Sequence, residues 1–91
     1  MDEGIIVFIE YITELTRNAN IKWVENDDKY NTVINRKQLA LSSSNEIIRL
    51  DIESKFYIIA KKEAGYIYFT ELYESVVTEC DKIKSNYLID A

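Results

Sequence analysis

The 91-residue chain contains no histidine and no proline, two glycines and one cysteine. Each absence excludes something. Without histidine the commonest general base and metal ligand is gone, and Cys80 alone builds no Cys/His metal cluster. Nucleophilic catalysis at Cys80 or at Ser42–Ser44 lacks the imidazole that usually activates it. A phosphate cradle needs glycines in series, and Gly4 and Gly65 stand 61 positions apart. A lone cysteine excludes an internal disulfide framework and fits a reducing cytosol. Disordered linkers are usually rich in glycine and proline, so their scarcity predicts a compact chain. The apolar run Gly4–Ile9 is too short to span a bilayer. Met1, Asp2 and Glu3 carry the wrong sign for a secretory leader, and a cytoplasmic location is expected.

What is present is a globular balance: 47% hydrophobic and 30% charged residues, with seven tyrosines and a net charge of −5. Residues 1–20 and 71–91 each carry net −3, and the middle carries +1. The acidity therefore sits at the two ends. A single domain over residues 1–91 follows from the length.

Residues 4–18 read as a helix, with Ile5, Phe8, Ile9, Ile12 and Leu15 on one stripe. A buried strand at Ile5–Ile9 is the alternative, which the fifteen-residue length disfavours. Asn18 and Asn20 are candidate terminators. Strands are predicted at Ile21–Asn26, Tyr30–Asn35, Gln38–Leu41, Ile47–Glu53, Phe56–Lys61 and Tyr66–Phe69. Asn26–Lys29, Asn35–Lys37, Ser42–Asn45 and Lys62–Gly65 are the connections, Gly65 suiting a positive φ. Ile48, Leu50 and Ile52 share one strand face, with Arg49, Asp51 and Glu53 on the other. A second helix is predicted over residues 71–87, capped by Thr70, with Leu72, Val76, Cys80, Ile83 and Tyr87 on its stripe and Lys82 and Lys84 near its end. The expected fold is a two-layer α+β domain: an antiparallel meander of about four to six strands with an N-terminal and a C-terminal helix on one face.

The segment Phe56–Phe69, FYIIAKKEAGYIYF, is apolar on both faces if it is a hairpin. Phe56, Ile58, Ile67 and Phe69 would then meet the helices. Tyr57, Ile59, Tyr66 and Tyr68 would form an exposed patch on the far side, a partner-binding surface or a homodimer face. The bland reading is that the sheet curls and this patch is core.

Other constellations read as structure. Glu25-Asn26-Asp27-Asp28 lacks the glycine and distal glutamate of a calcium loop, so it reads as a solvated turn. Cys80 reads as a small core residue. Basic residues Lys22, Lys29, Arg36, Lys37, Lys55, Lys61 and Lys62 suggest a weak nucleic-acid binder, but seven acids share their segment. Glu10, Glu14, Glu71, Glu74, Glu79 and Asp81 suggest the converse, an acidic nucleic-acid mimic, against the simpler reading of two solvated helix faces. No metal, cofactor or catalytic residue is expected.

The segments LTRNANIKW at Leu15–Trp23 and the helix opening Glu71-Leu72-Tyr73 carry a resemblance. The chain resembles small uncharacterised helix–meander–helix proteins of low-GC Gram-positive bacteria and their prophages. Its fourteen isoleucines, with many Asn, Lys and Tyr, have AT-rich codons that suit that setting. The resemblance implies an accessory product, such as an immunity protein or an inhibitor of host defence, that occludes a partner protein without catalysis.

Overall fold

A computed structural model describes residues 3–90, with side chains through residue 83; Tyr87 and Lys84, named above, lie outside the described side chains. The elements are α1 (Glu3–Arg17), β1 (Val24–Asn26), β2 (Lys29–Ile34), β3 (Lys37–Ser44), β4 (Ile47–Ile52), β5 (Lys55–Ala60) and α2 (Tyr66–Asp90). The strands form one antiparallel sheet in the order β1-β2-β3-β4-β5. The α+β meander with a helix at each end is thus the observed architecture.

Every strand connection is a two-residue hairpin loop, at Asp27-Asp28, Asn35-Arg36, Asn45-Glu46 and Glu53-Ser54. At Asn35-Arg36 and Asn45-Glu46 both central residues have positive φ, between 50° and 66°. That is the type I′ signature, whose twist matches a right-handed strand pair. Asparagine at the first position tolerates the left-handed region, so the meander turns without glycine. Ser42–Ser44, expected as a loop, belong to β3, because the reversal is confined to Asn45-Glu46.

α1 ends in a Schellman closure. Ala19 takes φ 57°, its N–H donates to Thr16 O (3.0 Å), and Asn20 N–H donates to Leu15 O (2.9 Å). Ala19, not either flanking asparagine, holds the left-handed position. Ile5, Ile9 and Ile12 are buried as the stripe requires, while Phe8 and Leu15 are half-buried. Thr16 ties α1 to the segment ahead of β1: its hydroxyl donates to Ile12 O within the helix (2.7 Å) and accepts from Trp23 Nε1 (3.0 Å), which satisfies the buried indole.

Tyr66–Phe69 is not a strand. It is the first turn of α2, and Gly65 does not adopt positive φ. Phe69, Leu72, Val76 and Cys80 follow at steps of three and four, all buried, so the helical stripe begins two residues before the glutamates that suggested a start. Ile83, expected on that stripe, is exposed. Thr70 is consequently inside the helix rather than its cap, and its buried hydroxyl is without a hydrogen-bond partner. Thr70→Val exchanges that hydroxyl for a methyl of the same shape and removes a desolvation cost of about 1–3 kcal/mol. We expect stability to rise by up to about 1 kcal/mol, measured by urea unfolding; a loss would show that the hydroxyl is paired.

Candidate interaction surface

Register sorts the sheet into two faces. Tyr30, Thr32, Ile34, Leu39, Leu41, Ile48, Leu50 and Ile59 are buried on one face, forming a single core with α1 and α2. Tyr30 meets Tyr73 of α2 edge to face, with ring centroids 5.8 Å apart. Burial and nearby Glu25, whose Oε2 accepts the Tyr30 hydroxyl (3.3 Å), push this phenol up to about 12 from 10.0. The fold thus favours the neutral phenol. Its contribution is complete below pH 10 and is lost as pH rises from 10 through 12. Alkaline spectrophotometric titration of wild type against Tyr30→Phe should show one late-ionising tyrosine missing from the variant; identical curves would contradict this.

Parity on β5 is opposite to the sequence expectation. The Glu53-Ser54 loop sets Leu50 opposite Tyr57 and Ile48 opposite Ile59. Ile59 is therefore core, with 1% exposure. Tyr57 is half-buried on the helix side and lines a shallow recess with Gly4, Ile5, Phe8, Lys37, Ile52 and Lys55. Tyr66 and Tyr68 are half-buried on α2 against the core. The four residues expected to form an exposed patch do not form one. Three pack around the core and the fourth is inside it, because 66–69 is helix and cannot continue a sheet face.

The open face carries a different set. Phe56 and Ile58, expected to point inward, are 56% and 48% exposed, and Ile47 beside them on β4 is also exposed. Arg49 lies opposite Ile58, and Asp51 opposite Phe56. Asp51 pins the guanidinium: Arg49 Nη2 donates at 2.9 Å and Nε at 3.1 Å. So placed, the Arg49 guanidinium carbon sits 4.5 Å from the Phe56 ring centroid, within cation–π range. The Asp51 hydrogen bonds hold Arg49 above its ordinary value. Across the middle of this face run Asn31, Ala40, Ser42 and Ser44, small or polar, and exposed Val24 and Val33 stand at the far end. The apolar surface thus stands at the two ends of the face, with the larger side chains, Phe56, Ile58 and Ile47, at the β4–β5 end.

The acidic helix candidates divide. Glu10 and Glu14 are exposed on α1, and Glu74 and Asp81 on α2. Glu71, Glu74 and Glu79 share a groove with two cations, Arg17 and Lys82. Lys82 Nζ donates to Glu79 Oε1 (3.2 Å), and Arg17 Nε to Ser75 Oγ (3.2 Å). Glu10, Glu14 and Asp81 do not line that groove. Cys80 is buried, its thiol 3.6 Å from the Trp23 carbonyl oxygen. Among the described residues there is no group of three or more metal-type side chains, and no helix is long and apolar enough to cross a membrane.

Comparison with known proteins finds no matching family model, no matching curated protein and no matching solved structure.

Proposed function

We propose that this chain is a non-enzymatic protein-interaction module that uses the open face of its sheet to occlude a partner protein. The observation that carries the reading is the group Phe56, Ile58, Ile47 and Arg49. Exposed aromatic and aliphatic side chains stand on paired strands, with Arg49 held beside them by the Asp51 carboxylate. Aromatic residues and arginine dominate binding hot spots. Holding them on strands reduces the ordering cost of association. Arg49 arrives already placed, with Nε and Nη2 on Asp51 and its guanidinium carbon over the Phe56 ring. A partner with an apolar rim would fit Phe56, Ile58 and Ile47, and a hydrogen-bond acceptor on it would meet the Arg49 Nη1 side that Asp51 leaves open. The accessory, cytosolic prophage setting suggested by the resemblance suits a small blocking protein.

A photoreactive amino acid at position 47, in cells producing the full chain, tests this. A specific protein adduct is expected there and is expected to disappear with Phe56→Asp. Adducts confined to probes at Glu10 or Glu74 would move the activity to the acidic helices and overturn the reading.

A further inference from the structure

Two lysines stand on the covered face of the sheet. Lys37 and Lys55 are the first residues of β3 and β5. Strand parity groups Lys37 with Leu39 and Leu41, and Lys55 with Tyr57 and Ile59, so both belong to the face that packs on the helices. Ile52 ends β4 between them, opposite Lys55 on one side and on the other opposite Leu39, two residues along from Lys37. The first turns of α1 close the space, and together these elements bound a recess of about 290 Å³.

The recess has apolar walls, Ile5, Phe8, Ile52 and Tyr57, and two cations. Its lining holds no acid, in a chain with 16 acidic and 11 basic residues. The ion pairs among the described residues are made by Arg49, Lys61 and Lys82, so neither lysine is in one. Glu3 and Glu53, the acids near the recess along the chain, are exposed. Lysines at strand ends commonly lay their stems over apolar surface and keep their charge in water. Here two of them border one opening.

Gly4 shows why the opening stays clear. The chain has two glycines, and none of the four hairpin loops uses one. Gly4 lies within α1 without positive φ, so its backbone asks nothing that only glycine supplies. Alanine or leucine would favour the helix more. What glycine provides at this position is the absence of a side chain from the recess wall.

We propose that this recess binds a small carboxylic acid as its anion, the apolar body against Ile5, Phe8, Ile52 and Tyr57 and the carboxylate between the Lys37 and Lys55 ammonium groups. Charge complementarity selects an anion, because the lining offers two cations and no acid. Volume selects a small ligand, since about 290 Å³ lies at the bottom of the roughly 300–1,000 Å³ range of drug-sized sites. The donor set selects carboxylate. Phosphate is commonly wrapped by arginine or by a run of backbone N–H groups, and the lining holds no arginine and one glycine. The recess is shallow and leaves part of the ligand wet, so a dissociation constant of about 0.1–1 mM is expected for an eight-carbon acid. The site is on the helix side of the sheet and is independent of the open face and of the function proposed for it.

Isoleucine methyl NMR of the full chain, titrated with sodium octanoate, tests this. Saturable shifts are expected at Ile5 and Ile52, with Ile47 and Ile58 on the open face unmoved. Acetate lacks the apolar body and octanol lacks the charge, and each should bind at least about tenfold more weakly. Lys37→Gln combined with Lys55→Gln should weaken octanoate about tenfold or more and leave octanol unchanged. Both lysines are exposed, so this variant keeps its fold. Gly4→Leu fills the recess and should abolish octanoate binding while the urea midpoint stays equal or rises. Should Gly4→Leu unfold, the lysine variant decides alone. No saturable shift by about 10 mM, octanol bound as tightly as octanoate, or octanoate binding indifferent to the lysine variant would each overturn the proposal. Shifts led by Ile47 and Ile58 would mean adsorption on the open face and would also overturn it, leaving the partner-occlusion reading to its own crosslinking test.

Discussion

Ile59→Asp should abolish the folded state, while Ile58→Asp, one residue earlier, should leave it standing. Ile59 is 1% exposed and lies opposite Ile48 within the core. A carboxylate there is buried without a cation, and the cost reaches several kcal/mol or is met by protonation at a comparable expense. A 91-residue domain has roughly 5–15 kcal/mol of total stability, so most of it would be consumed. Ile58 is on the open face, where a polar side chain stays in water and finds Arg49 directly across the strand pair. Its replacement should cost about 1 kcal/mol or less, mainly in strand preference and lost contact. Urea unfolding followed by the fluorescence of Trp23, the sole tryptophan, separates these outcomes. Equal damage from both substitutions would mean that both faces of β5 are covered.

Phe69→Ala should cost about 3–5 kcal/mol, the range for deleting a buried phenylalanine. Phe69 has no exposed surface and sits in the first turn of α2. Alanine is the best helix former, so the loss reflects the cavity and not the backbone. With a urea slope of about 1–3 kcal/mol per molar, the midpoint should fall by roughly 2 M. Ile67→Ala is the matched control. Ile67 is exposed on the same helical turn, and its replacement should move stability by no more than about 0.5 kcal/mol. In a strand, residues 67 and 69 would share a face and both replacements would be costly. The helix predicts a large difference between them.

These two pairs of residues also mark how far the chain could be read from its sequence. The order of helix, meander and helix was legible because α1 and the body of α2 repeat at 3.6 and β4 alternates at 2. The hairpin at Asn35-Arg36 announced itself through its asparagine. The start of α2 was obscured because Tyr66–Phe69 is rich in residues that favour strands. The helical signal there lies in steps across a boundary, from Phe69 to Leu72 to Val76, and not within the four residues themselves. The parity of β5 was lost with it. Pairing β5 to an imagined sixth strand drew Phe56 and Ile58 inward. The two-residue turn at Glu53-Ser54, which has neither glycine nor asparagine to betray it, sets the register that turns them out. A one-residue change of phase moves every side chain to the opposite face, so one missed turn displaced the whole candidate patch. Arg49 was seen only as part of a wet face. Its clasp by Asp51 and its seat on Phe56 depend on the β4–β5 register and carry no sequence signature.

Adjacent isoleucines supply the most direct test of the open face. Ile47 and Ile48, and Ile58 and Ile59, are neighbouring pairs in which one member is exposed and the other buried. Methyl NMR spectra recorded with a soluble paramagnetic agent report on all four at once. The account predicts strong broadening of Ile47 and Ile58 with Ile48 and Ile59 spared. Broadening of Ile59 with Ile58 spared, or protection of all four, would contradict it.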